Sequence, residues 1–195
     1  MREIRGDMFS YLDRMKFKLF ITTNGFIKND GYAVMGRGNA ARAVTVFKEE
    51  KNLNLPDLLG KSLKTRGNNV VQLTSQLYTF PVKDHWVDRA RRTIIKRSVK
   101  QLEEIIERDK KLKNEFIYVV PRPGCGNGML RWIEDVKPLM QHLPDNVWVI
   151  CDWTDPNWKP KEKKEHHVHH SKRHSHRRQK SVIQTQLGKR KSHSR

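Results

Sequence analysis

Cysteines and long apolar runs are scarce in this chain of 195 residues. Cys125 and Cys151 are its two cysteines, too few for a disulfide framework and without the spacing of a metal site. No apolar stretch approaches the roughly 20 residues of a membrane span, and Arg2, Glu3 and Arg5 interrupt any signal-like start. We therefore predict a cytoplasmic protein that has no membrane association, no metal site and no cofactor.

Acidic residues are a minority, with 21 Asp and Glu against 40 Lys and Arg and a formal net charge of +19. Residues 159–195 hold 13 of the basic residues, only two Glu, and seven of the nine His. So few apolar residues cannot offset the entropy of ordering a chain. We predict a folded domain over 1–155 and a disordered tail over 156–195. The basic clusters of 159–195 favour non-specific, salt-sensitive nucleic-acid contact, with a solubilising appendage as the alternative.

Strand and helix patterns alternate along the rest of the chain. Strands are predicted at 2–5, 18–23, 70–73, 77–80, 116–120 and 147–150, and helices at 8–15, 38–47, 56–67, 87–112 and 131–142. Strands separated by helices indicate a sheet covered on both faces, with ligands bound beyond the carboxyl ends of the strands. We predict an α/β fold, a three-layer α/β/α sandwich with a mixed central sheet.

Two glycine-rich segments lie where predicted strands end and helices begin. The first runs from Asn24-Gly25 to Met35-Gly36-Arg37-Gly38, and the second, Pro121 to Gly128, has three glycines in its last five residues. Glycine lets backbone N–H groups approach an anion closely, and a helix start adds a favourable dipole. A simple turn into a helix explains the first segment equally well. Two such segments in one domain favour phosphate binding.

Five short motifs occur in the order found in macrodomains. They are Gly6-Asp7, Asn24, Met35-Gly36-Arg37-Gly38, Pro81-Val82-Lys83-Asp84-His85-Trp86, and Gly124-Cys125-Gly126-Asn127-Gly128-Met129-Leu130-Arg131-Trp132. Over about 1–150 the chain resembles macrodomains, and it looks most like the branch of terminal ADP-ribose protein glycohydrolases and DNA ADP-ribosyl glycohydrolase antitoxins. The resemblance implies binding of ADP-ribose or an ADP-ribosylated substrate, and hydrolysis of the link to a nucleic acid or protein. ADP-ribose 1''-phosphate phosphatase activity, or reading of ADP-ribose without turnover, are the alternatives.

The resemblance also implies roles for individual residues. Asp7 would accept a hydrogen bond from the adenine amine, and Asn24 would hold the distal ribose. Lys83 would act at the anomeric carbon, with Asn24 and His85 as the other catalytic candidates. A solvated Lys83 and a structural His85 are the alternatives. The diphosphate would be wrapped by the backbone of Gly36, Arg37, Gly38, Gly124, Cys125, Gly126, Asn127 and Gly128.

Gly128 marks a departure within that branch. The protein-directed members carry an acidic residue at this position, whereas the DNA-directed members also have glycine. The resemblance at this position therefore favours the DNA-directed members.

Overall fold

A five-stranded sheet organises the part of the chain that the structure, a computed structural model, describes: residues 1–151. Its strands are β1 (Arg2–Arg5), β2 (Phe17–Asn24), β3 (Leu77–Lys83), β4 (Ile117–Pro121) and β5 (Val147–Cys151), in the order β1-β5-β4-β2-β3. Each neighbouring pair is parallel. Within residues 1–151 the prediction of a mixed sheet is therefore wrong.

The predicted strand at 70–73 accounts for that error. The segment forms one antiparallel bridge, between Gln72 and Tyr78, and no strand. The Thr79 hydroxyl instead accepts from Val71 N at 2.8 Å and donates to Asn69 O at 2.8 Å. Backbone hydrogen bonds from Thr79 N to Val71 O and from Leu73 N to Leu77 O flank this bridge. The ladder does not continue beyond them, because the Thr79 hydroxyl takes the Val71 N–H.

Helices cover both faces of the sheet and confirm the three-layer prediction. The helices are α1 (Gly38–Lys51), α2 (Leu55–Arg66), α3 (Arg92–Lys111) and α4 (Lys137–Met140). Alternate strand residues face opposite layers: Leu19 and Ile21 pack with α1 and α2, whereas Phe20 packs with α3 and α4. The apolar stripe of α3, which includes Ile95 and Leu102, is buried as its spacing of three and four predicts.

Three predicted helices differ most from those in the structure. The segment at 8–15 contains only a 3₁₀ turn, Met8–Tyr11, and α3 begins at Arg92 rather than at 87. The predicted helix at 131–142 is a π turn, Trp132–Val136, followed by α4. Pro138 lies in the first turn of α4. Proline has no N–H to continue the preceding hydrogen-bond ladder, so the regular helix is interrupted there.

Within residues 1–151, no helix has the length and apolar character needed to cross a membrane. The predicted tail over 156–195, with its basic clusters, lies outside the described residues. Its disorder and the cytoplasmic location remain predictions.

Candidate functional site

The carboxyl ends of β2 and β3 bring Asn24 and Lys83 side by side, as register partners across an irregularity that follows Thr23. Asn24 is buried; its Nδ2 donates to Val34 O at 2.9 Å and its Oδ1 accepts from Phe26 N at 3.0 Å. The side chain of Asn24 therefore orders the loop after β2, next to the candidate catalytic lysine.

Lys83 is half-buried, and its ammonium is held by the loop that follows β3. Lys83 Nζ donates to Trp86 O at 2.9 Å and to Asp88 O at 2.7 Å. Burial lowers the pKa of Lys83 from its usual value, and the positive charge of Arg37 lowers it further, while Asp88 acts in the opposite direction. The positive charge of Arg37, in the first glycine segment, therefore acts on Lys83 at the end of β3.

His85 packs against the loop after β2. Its ring lies edge-on to Phe26, with 4.4 Å between ring centroids, and Nδ1 accepts from Val87 N at 3.4 Å. Both contacts shape the loops beside Lys83. A role for His85 in the chemistry stays a prediction.

The two glycine segments meet in the structure. A Cβ added to Gly38 would lie 3.1 Å from Asn127 Nδ2. Gly38, Gly124 and Gly126 have φ of +57°, +75° and +70°, values that favour glycine. A Cβ added to Gly36 or Gly126 would have nothing within 4 Å. The two segments are therefore adjacent, while Gly36 and Gly126 face open space.

The second glycine segment also packs against the residues before α3. Ala90 N donates to Gly128 O at 3.0 Å. A Cβ on Gly128 would lie 2.8 Å from Ala90 Cβ, and one on Gly124 would lie 2.9 Å from it. Ala90 thus fits against two glycines, and a larger side chain at position 128 would clash with it in this packing.

Asp7 lies just beyond β1 and is tied to α1. Its Oδ1 caps the 3₁₀ turn by accepting from Phe9 N at 3.0 Å, and its Oδ2 is paired with Arg42. Arg42 lies over the Phe9 ring, 5.6 Å from its centroid. The carboxylate is one-third exposed, so its outer lone pairs can accept a further donor.

Glu3 links the start of the second glycine segment, through Arg122, to Trp132 and Lys137, which follow that segment. Sequence patterns did not indicate this role. Its carboxylate pairs with Lys137 at 2.6 Å and Arg122 at 3.3 Å, and accepts from Trp132 Nε1 at 3.1 Å and Cys151 Sγ at 3.3 Å. The hydrogen bond from Lys137, supported by those from Cys151 and Trp132, lowers the pKa of Glu3 to about 2 against the effect of burial. Glu3 is therefore ionised and anchors the segment.

Cys125 belongs to the second glycine segment. Burial raises the pKa of its thiol to about 11, so it is a neutral thiol near pH 7 and a poor nucleophile. Among residues 1–151 there is no cluster of three or more His, Cys, Asp or Glu that could hold a metal ion.

A separate cavity of about 630 Å³ opens at the amino ends of β2 and β4, lined by residues that include Lys16, Lys113, Phe116 and Asn146. This is the edge of the sheet opposite to Lys83. None of the site residues predicted from the sequence lines this cavity.

Known proteins match this chain through their structures. No protein-family model and no curated protein matches it. The macrodomain of Mycobacterium tuberculosis DarG is 26% identical, with a TM-score of 0.53, and the match covers 76% of this chain and 95% of that one. The macrodomain of Thermus aquaticus DarG is 24% identical, with a TM-score of 0.52, and the match covers 77% and 97%.

Thermosipho africanus DarTG, solved in complex with ADP-ribose, gives a similar match. It is 24% identical with a TM-score of 0.53, covering 79% of this chain and 42% of that one. This chain therefore has the macrodomain fold. Among macrodomains it resembles those of DarG.

Proposed function

We propose that this chain binds ADP-ribose between its two glycine segments and hydrolyses the bond that links ADP-ribose to a modified target. The observation that carries the proposal is the close approach of Gly38 to Asn127, which brings the two glycine segments together. Lys83 lies beside Asn24 at the carboxyl ends of β2 and β3. The complex of Thermosipho africanus DarTG with ADP-ribose supports the choice of ligand.

The diphosphate is assigned to the open space over Gly36 and Gly126. The amino end of α1, a helix of 14 residues that begins at Gly38, adds the favourable end of a helix dipole, and Arg37 adds a full positive charge. Asp7 would then accept from the adenine amine at one end, and Asn24 would lie near the distal ribose at the other.

Lys83 is assigned as the acid that protonates the leaving group. Two N–H groups of its ammonium are used on the carbonyls of Trp86 and Asp88, which leaves the third for a ligand. As the bond from the anomeric carbon to the target breaks, Lys83 gives that proton to the departing atom. Water adds its oxygen to the anomeric carbon, and the proton it releases restores the ammonium. A lowered pKa makes Lys83 a stronger acid near neutral pH.

A nucleic acid is the favoured target. Gly128 matches the DNA-directed members of the branch. In addition, the first half of α3 exposes Arg92, Lys96, Arg97 and Lys100 and has no acidic residue in its first turn. Arg92, in the first turn, opposes the helix dipole, and like charges at spacings of four repel one another, so this pattern lowers stability. A polyanionic partner beside Lys83 gives a functional reason for this charge, and residues 159–195 would add further phosphate contacts.

Replacement of Lys83 tests the assignment of turnover. We expect Lys83→Ala to abolish release of ADP-ribose from ADP-ribosylated DNA while calorimetry still detects ADP-ribose binding. Unchanged release from both ADP-ribosylated DNA and ADP-ribosylated protein would contradict the role of Lys83.

The parent protein separates the two alternatives in the same assays. Phosphate release from ADP-ribose 1''-phosphate without hydrolysis of either modified target would identify a phosphatase. Binding without any product would identify a reader, the function that Gly128 in place of a carboxylate would favour.

A further inference from the structure

Asn68 lies beside the carboxyl end of β3 and binds Lys83 and Asp84 through two hydrogen bonds. Its Nδ2 donates to Lys83 O at 3.0 Å and to Asp84 Oδ1 at 2.9 Å. The Asn68 amide therefore donates one hydrogen to the backbone of Lys83, the last residue of β3, and the other to the side chain of Asp84. The sequence pattern gave Asn68 no role.

The Asn68 side chain packs directly against Gly25. A Cβ added to Gly25 would lie 2.9 Å from Asn68 Nδ2 and 3.0 Å from Asn68 Cγ. Gly25 N also donates to Asp84 O at 2.9 Å. The absence of a side chain at position 25 thus lets the ends of β2 and β3 and the Asn68 amide pack together.

Two further contacts extend this arrangement. Asp84 is paired with Arg91, which immediately precedes α3. This ion pair joins the two ends of the loop 84–91, which is called the closed loop below. Arg97 of α3 donates to Asn68 O at 2.7 Å. The carbonyls of Trp86 and Asp88 that hold the Lys83 ammonium belong to this closed loop.

Asn68 also carries an energetic cost. Its Oδ1 is buried and accepts no hydrogen bond within the part of the chain that the structure describes. A buried acceptor without a partner is unfavourable, because it has lost its hydrogen bond to water.

We propose that Asn68 is a positioning residue for Lys83, and that Gly25 leaves the space in which the Asn68 amide packs. The amide fixes the backbone of Lys83 and Asp84, and the closed loop then places two carbonyls around the ammonium. The third N–H of Lys83 is thereby aimed at the ligand. This inference rests on the proposed function, because it assigns Asn68 to the same catalytic group.

Asn68→Ala and Asn69→Ala form a matched pair of variants. Asn69 is the next residue, and its side chain makes two hydrogen bonds of its own, to Arg66 O at 2.7 Å and from Gln101 Nε2 at 2.9 Å. Neither bond reaches Lys83 or Asp84. We expect Asn68→Ala to lower kcat for ADP-ribosylated DNA about tenfold, because small misplacements of a reacting group reduce rates steeply. KM and ADP-ribose affinity should stay near the parental values, and Asn69→Ala should keep the parental kcat.

Amine acetylation followed by mass spectrometry gives a readout that needs no turnover. We expect Lys83 to be acetylated several times faster in Asn68→Ala than in the parent, because its ammonium is no longer held, and at the parental rate in Asn69→Ala. Gly25→Ala should resemble Asn68→Ala, since its Cβ displaces the amide. Parental Lys83 acetylation in both Asn68→Ala and Gly25→Ala would overturn the positioning role.

The two proposals fail in different ways. If Lys83→Ala retains turnover while Asn68→Ala still exposes Lys83 to acetylation, the catalytic assignment is wrong and the positioning is right. If Lys83→Ala is inactive and Asn68→Ala keeps the parental kcat and acetylation rate, the positioning is wrong and the catalytic assignment stands. Circular dichroism and urea denaturation of each variant separate these outcomes from misfolding.

Discussion

At the scale of single residues, the glycines of the two segments have different functions. A Cβ on Gly128 would meet Ala90 Cβ at 2.8 Å, whereas one on Gly36 would meet nothing within 4 Å. We expect Gly128→Ala to lower the free energy of unfolding by about 1–3 kcal/mol, as overpacking does. Gly36→Ala should keep its stability but bind ADP-ribose more weakly, because its methyl group enters the space assigned to the diphosphate. Urea denaturation and calorimetry test the pair; equal stability would contradict the packing.

Glu3 makes stability depend on pH in the acidic range. Its pKa is about 2 in the folded protein, against an ordinary value of 4.5, so its contribution is present above pH 4.5 and is lost as the pH falls toward 2. Because the carboxylate is 30% exposed, we expect Glu3→Gln to cost only roughly 1–2 kcal/mol at pH 7. The difference from the parent should narrow as the pH falls from 5 to 3. A difference that stays constant over that range would contradict the ionised anchor.

At the scale of elements, α3 combines a well-buried apolar stripe with an unfavourable charge pattern. Arg92, Lys96 and Lys100 are exposed like charges at successive spacings of four, in the first half of the helix. We expect Lys96→Glu to raise the free energy of unfolding by about 0.5–1 kcal/mol, because two repulsive pairs become attractive. The same change should weaken binding to DNA and reduce its dependence on salt. Thermal denaturation tests the stability and DNA titration tests the affinity. Higher stability with unchanged DNA affinity would show that this charge takes no part in nucleic-acid binding.

The sequence predicted most elements because their patterns are local. The consecutive apolar residues Leu19, Phe20 and Ile21 indicate a strand that is buried on both faces. The spacing of apolar residues in α3 indicates one apolar stripe. The errors arose where a distant or unusual partner took a backbone group. The Thr79 hydroxyl replaced a strand ladder at 70–73. Proline at 138 interrupted the helix predicted at 131–142.

The same distinction separates the site residues that the sequence indicated from those it missed. Lys83 and the glycine segments stand in recognisable motifs, so the sequence predicts them as site residues, although their roles remain proposals. Glu3 and Asn68 act through partners that are distant in the chain, such as Cys151 for Glu3 and Lys83 for Asn68. No local pattern specifies such pairings, because they depend on which strand ends become neighbours.

At the scale of the whole molecule, the charge of residues 159–195 leads to a prediction about affinity. This segment carries 13 basic and two acidic residues, a net charge of +11. We expect its deletion to leave ADP-ribose affinity unchanged, since each residue assigned to that site lies within residues 1–151. DNA affinity should fall and become less dependent on salt, because fewer phosphates are neutralised. Fluorescence anisotropy with labelled DNA, at several salt concentrations, measures the change. A parental salt dependence after deletion would show that the segment makes no phosphate contact.

The proposed function requires that the two glycine segments bind ADP-ribose. Titration of the full chain with ADP-ribose, followed by calorimetry and by backbone amide shifts, tests it most directly. We predict saturable binding with one site per chain, with the largest shifts at the amides of 36–38 and 124–128. No saturable response at millimolar ADP-ribose, or shifts confined to the opposite edge of the sheet around Lys16 and Asn146, would contradict the account.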